Sequence, residues 1–180
     1  GDNLWGGTFS KGVKVVDTLT GTIIKTNRKP DAPRSLNDNS VFAICQTTTG
    51  DIYLGTILGL LGYNKESDDF DQVPELTGRF VYDIKEDSRG NLWLATYANG
   101  VYCYNVNEKR WKNYLHADND PKSLPYDTVL SVFEDSHRQI WLTTHGGGFC
   151  QFHPETATFT SYILAVGMPT AVVYPIVEDK

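Results

Sequence analysis

Apolar and polar residues alternate with a period of two in four short runs. These read SVFAICQ, FVYDIKE, TVLSVFE and AVVYPIVE. Two columns stay apolar in all four: Phe42, Tyr82, Leu130 and Tyr174, and then Ile44, Ile84, Val132 and Ile176. A spacing of two puts both columns on one side of a β-strand. A second run follows most of the first ones, with an aliphatic-aromatic pair at its centre: Leu4-Trp5, Ile52-Tyr53, Leu92-Trp93 and Ile140-Trp141. Apolar residues on both sides of the aromatic, as in Leu92-Trp93-Leu94, predict strands covered on both faces. No stretch has an apolar period of 3.6 residues, so no amphipathic helix is expected.

These runs are one unit repeated. Three residues after each aromatic stands Thr8, Thr56, Thr96 or Thr144, and a glycine follows at Gly12, Gly59, Gly100 or Gly148. A further apolar run ends in Val16, Tyr63, Tyr104 or Phe152, then a polar residue. Gly50-Asp51 and Gly90-Asn91 fit tight turns between first and second strands. The later glycine column fits a second turn with positive φ. Counted between the aromatics, the spacings are 48, 40 and 48 residues. Four short strands in such a unit make a β-propeller blade. The expected fold is therefore all-β, with about four repeats of a β-propeller. The boundaries are a partial blade at 1–26, blades at 36–74, 79–115 and 124–162, and the first strand of a next blade at 170–180. The strands of the third unit are expected at 80–86, 91–97, 100–105 and 110–115. The chain reads as a fragment cut from a longer array of such blades. A terminal strand at 171–179 closing onto the first partial blade is the alternative. Open blade faces would demand partners.

Charge and composition narrow the chemistry. The 180 residues carry a net charge of −6, which argues against a nucleic-acid backbone as the partner. No apolar run reaches the roughly 20 residues of a spanning helix. Cys45, Cys103 and Cys150 are far apart and form no CxxC pair, so they read as small buried hydrophobes. His116, His137, His145 and His153 follow no metal-ligand spacing, and no metal or other cofactor is expected. Asp118-Asn119-Asp120 departs from a calcium loop at Pro121-Lys122 and reads as a polar link. The acidic pairs Glu86-Asp87, Glu134-Asp135 and Glu178-Asp179 recur at one register, which is the mark of turn chemistry. The tryptophan and threonine columns are expected to pack and to bond neighbouring strands.

Candidate ligand contacts sit in loops that enter first strands or leave second ones. They are Arg79, Tyr97, Asn99, Tyr126, Asp127 and His145. Aromatic faces with amide and charged partners suit a sugar, and Arg79 suits an acidic one. Each residue also has a plain reading as a turn residue.

The stretches Ser123-Leu124 through His153 and Tyr82 through Asn105 resemble the two-component regulator propeller repeat. The links Pro33-Arg34-Ser35-Leu36-Asn37-Asp38 and Pro121-Lys122-Ser123-Leu124-Pro125-Tyr126 also fit its "P-x-S-L" entry. Gly6-Gly7 and Thr47-Thr48-Thr49 depart from it. The resemblance implies a fragment of a seven-bladed propeller in the periplasmic sensor region of a hybrid two-component histidine kinase of Bacteroidetes type. It implies an oligosaccharide ligand, other blades of the same propeller and a second copy of the parent sensor as partners. It implies no catalysis in these residues. Two alternatives stay open. One is an exported propeller lyase or hydrolase with His145 as acid or base, since streptogramin-lyase-like propellers share the "D-x-x-G-x-(I/L)-W" turn. The other is a protein-binding scaffold. Asp87 through Trp93 is similar to the Asp-box of sialidases, but Asp87 sits one residue early.

Overall fold

A computed structural model of the chain describes residues 3–27, 36, 38–162 and 171–179. The chain divides into two compact units, residues 1–81 and 82–180. Each unit is built from antiparallel sheets whose strands pair in chain order. Local turns are therefore enough to fold each sheet.

The first unit holds a three-stranded sheet of β1 (Asn3–Gly7), β2 (Val13–Asp17) and β3 (Ile23–Asn27). A four-stranded sheet follows, of β4 (Val41–Gln46), β5 (Ile52–Thr56), β6 (Gly59–Asn64) and β7 (Asp69–Gln72). Val13, Val15, Leu36, Val41, Leu54, Leu61 and Phe70 form its core, with Trp5, Ile44 and Tyr63 packed on it. Of the link 33–38, residues 33–35 and 37 lie outside the described residues, and Leu36 is buried. The link 71–79 folds into a short 3-10 turn, Pro74–Leu76, that buries Leu76.

The second sheet pair belongs to the second unit, with Val81 at the boundary. One sheet contains β8 (Val81–Glu86), β9 (Leu92–Thr96), β10 (Val101–Asn105) and β11 (Arg110–Tyr114). The other contains β12 (Val129–Glu134), β13 (Ile140–Thr144), β14 (Phe149–His153) and β15 (Thr158–Ser161). All five residues of β9 are buried, as the run Leu92-Trp93-Leu94 predicts. Its Trp93 and Ala95 pack with Val129, Val132, Leu142, Cys150 and Phe152 of the next sheet in one cluster. Each fully buried leucine or phenylalanine there contributes about 1.5–3 kcal/mol. This inter-sheet packing is the role expected for the tryptophan column.

One expectation is corrected. Residues 170–180 were expected to form the first strand of a further blade. Among the described residues 171–179, only Val172 bridges, to His145. The segment is held by Gly148 N donating to Ala171 O (2.8 Å) and Val173 N donating to Thr144 O (3.0 Å). The other first strands gain a ladder from the strand that follows them, and no later described strand pairs with this one.

Candidate functional site

The repeated residues organise both ends of each sheet. At one end, between first and second strands, an aspartate gathers the turn. Asp87 Oδ1 accepts from Arg89 N and Asn91 N (2.9 and 2.8 Å), and Oδ2 accepts from Asn91 Nδ2 and Trp93 Nε1 (both 2.9 Å). Asp135 repeats this with His137 N, Gln139 N and Trp141 Nε1 at 2.8–2.9 Å. The glutamate of the acidic pair points elsewhere. Glu134 accepts from the backbone N–H and hydroxyl of Ser88 at 2.8 and 2.7 Å. Glu178 does the same for Ser136, both at 2.8 Å. The pair therefore splits its work: aspartate closes its own sheet's turn, and glutamate clamps the turn of the preceding sheet. For Asp87, Asp135, Glu134 and Glu178 this is the turn chemistry expected of the acidic pairs.

At the other end, between second and third strands, threonine closes the turn. Thr8, Thr56, Thr96 and Thr144 each donate their hydroxyl to the carbonyl of Gly12, Gly59, Gly100 or Gly148, at 2.6–3.0 Å. Those four glycines all have positive φ. The residue after each threonine projects from this rim, and the variable chemistry is found there.

In the second unit, five of the six candidate residues share this rim. Tyr97 is 54% exposed and meets Tyr82 edge-on at 6.3 Å. Burial, then the neighbouring Tyr97 and Tyr174 hydroxyls, push the Tyr82 phenol above its ordinary pKa. Asn99 is turned inward, with Nδ2 donating to Tyr97 O (2.9 Å). The turn 97–100 is tied to the start of the next sheet: Ala98 N donates to Thr128 Oγ1 (3.1 Å) and Gly100 N to Asp127 O (2.8 Å). Asp127 is occupied by that scaffold as well, since its Oδ1 accepts from His116 N (2.7 Å). Tyr126, 42% exposed, lies over Gly146, where a Cβ would stand 2.5 Å from its ring. His145 is exposed, and its backbone N–H donates to Thr128 O (2.9 Å). Arg79 does not belong to this group: it is an exposed residue of the first unit, after the 3-10 turn.

Sequence reasoning missed Tyr82 and Tyr174, which it assigned to the apolar column. Tyr174 is 66% exposed and Tyr82 half-buried. Their hydroxyls were the available signal, because Phe42 and Leu130 in the same column have none. Among the described residues no cluster of His, Cys, Asp or Glu could hold a metal ion. Cys103 and Cys150 are buried, and burial pushes both thiols up to about 12.

Comparison with known proteins fits this picture. Residues 35–57 and 75–98 match the model of the two component regulator propeller. No curated protein sequence matches the chain. Among solved structures, the extracellular domain of a hybrid two component system from B. thetaiotaomicron aligns with a TM-score of 0.72 and 22% identity. The alignment covers 88% of this chain and 22% of that one. A second such domain from the same organism gives 0.69 and 20%, covering 89% and 20%. Virginiamycin B lyase from Staphylococcus aureus gives 0.64 and 14%, covering 92% and 53%. At these identities the likeness establishes the fold, and the chain spans about a fifth of the two extracellular domains. The two matched stretches are similar to two-component regulator propeller repeats, and the sheets of the chain have the fold of β-propeller blades.

Proposed function

We propose that this chain is a ligand-sensing part of the extracytoplasmic region of a hybrid two-component sensor kinase. It recognises an oligosaccharide and carries out no chemistry itself. The observation that carries this reading is the rim of the second unit. Tyr82, Tyr97, Tyr126 and Tyr174 offer aromatic faces and hydroxyls, with His145 and the amide of Asn99 beside the same backbone turns. Aromatic faces stack on the apolar faces of sugar rings while hydroxyls and amides bond their edges. The turns are fixed by the threonine bonds and by the links to residues 127 and 128, so little order has to be gained on binding. In the parent protein, ligand binding would bias one arrangement of paired sensor domains over another.

Binding of the full chain to a glycan library tests this reading. A bound glycan should lose at least tenfold in affinity on Tyr97→Ala or Tyr126→Ala, with the melting temperature kept. Retained affinity in both variants would move the ligand elsewhere. Loss of turnover of any bound glycan in His145→Ala would instead establish the lyase reading.

A further inference from the structure

A cleft opens at the opposite end of the same two sheets from the tyrosine rim, beside the turns that follow β8, β10, β12 and β14. Its volume is about 440 Å³, within the roughly 300–1,000 Å³ of small-molecule sites. Trp93, Tyr114 and Phe152 form its floor, with ring centroids 5.0–6.2 Å apart. Arg89, Lys112 and Arg138 stand on its walls.

Three features point to an anionic ligand. First, the cleft runs against the charge of the molecule: the chain is at −6, yet these walls carry three cations. Second, the two acids of the cleft are already engaged. Asp87 accepts four hydrogen bonds from its own turn, and Glu108 is paired with Arg110. Among the described residues none of the three wall cations forms an ion pair. Third, Arg138 sits where the repeat places glycine. Gly50 and Gly90 hold the corresponding turn position at φ of 86° and 82°, and Arg138 holds it at 62°. That region favours glycine, so the arginine side chain is carried there at a backbone cost. Arg138 lines the cleft, and its planar guanidinium fork can take a carboxylate through two parallel bonds.

We infer that this inter-sheet cleft is a binding site for a small ring-bearing carboxylate, held by Arg89, Lys112 and Arg138 above the aromatic floor. The amides of Asn91, Gln139 and Gln151 also line it and suit hydroxyls on the ring. The site is separate from the tyrosine rim and does not depend on it.

The probes are glucuronate and glucose, titrated into the full chain and followed by calorimetry and tryptophan fluorescence. Glucuronate is expected to bind in preference to glucose, with affinity that weakens as salt is added. Arg138→Gly restores the residue the backbone favours, so it should fold at least as stably as the parent. It should bind glucuronate at least tenfold more weakly, and Lys112→Gln should act in the same direction. Tyr97→Ala should leave glucuronate binding unchanged. The inference is overturned by equal binding of glucuronate to Arg138→Gly, by equal binding of glucose, by no glucuronate binding at millimolar concentration, or by loss of binding in Tyr97→Ala.

Discussion

The two units use one repeat and present different chemistry on it. In the first unit the rim is apolar. Phe9 stacks edge-on to Phe42 at 6.0 Å, Phe42 lies 4.6 Å from Phe80, and Ile57 and Leu58 are exposed nearby in the turn after β5. In the second unit the corresponding columns hold Tyr97, His145, Tyr82 and Tyr174. The turn chemistry differs too. Asp87 and Asp135 each grip a tryptophan, whereas the first unit has Thr47 and Tyr53 in those places. There Thr47 Oγ1 accepts the Asp51 N–H at 3.0 Å. Aspartate and tryptophan thus change together, as expected when one exists to satisfy the other's buried N–H. The fold tolerates the exchange because the backbone turn is the same: Gly50 N donates to Thr47 O at 2.8 Å and Gly90 N to Asp87 O at 2.9 Å.

Substitution should break this comparison most sharply at the rim glycines. A Cβ on Gly100 would stand 2.0 Å from Tyr114 O, on a backbone with φ of 73°. Gly100→Ala is expected to cost about 3 kcal/mol or more in urea unfolding. By contrast Gly6, inside strand β1 and not on the rim, meets nothing nearer than 3.9 Å, and Gly6→Ala should stay within about 0.5 kcal/mol.

The turn aspartate comes next. Asp87→Ala strips four donors of their acceptor, one of them the indole N–H of the buried Trp93, and should cost about 3 kcal/mol. Thr47→Ala should cost about 1 kcal/mol. Equal losses at the two positions would refute the claim that aspartate is there for the tryptophan.

Thiol labelling separates the units without mutation. Cys45 is half-buried, while Cys103 and Cys150 are buried with thiols pushed up to about 12. Under native conditions iodoacetamide should label Cys45 at least about tenfold faster than either of the others. Faster labelling at Cys103 would mean that the second unit opens more readily than its core packing implies.

The smallest effect is that of acid. Burial pushes the Asp135 carboxyl up, but the donors from Trp141, Gln139 and His137 outweigh it and hold the group below its ordinary value of 3.8. A depressed folded-state pKa gives stability that is present above the unfolded value and lost as pH falls through the folded one. Melting temperature should therefore drop as pH falls below about 4, and Asp135→Asn should flatten that part of the profile. Thr47 gives the first unit's turn no counterpart.

Much of this was legible in the chain. Alternation, the four aromatics, the threonines and the glycines place the strands expected at 80–86, 91–97, 100–105 and 110–115 to within a residue at their ends. Those features are local: strand period, turn φ and a hydroxyl three residues past an aromatic all act within one unit of the repeat. Of the six candidate residues, Tyr97, Asn99, Tyr126, Asp127 and His145 come together, because each was read from the same turns of the same repeat. What lay beyond the sequence was which way a polar atom faces. Asp127 is consumed by His116 N, eleven residues away, and Glu134 reaches Ser88 across 46. Arg138 could be read as a departure from glycine, but not as the wall of a cleft that it shares with Arg89 and Lys112. The sequence by itself determined the repeat and the sheets, since both follow from neighbours along the strand. Only the tertiary structure decided which polar groups are satisfied and which are left for a ligand, because that depends on partners brought in by the next sheet.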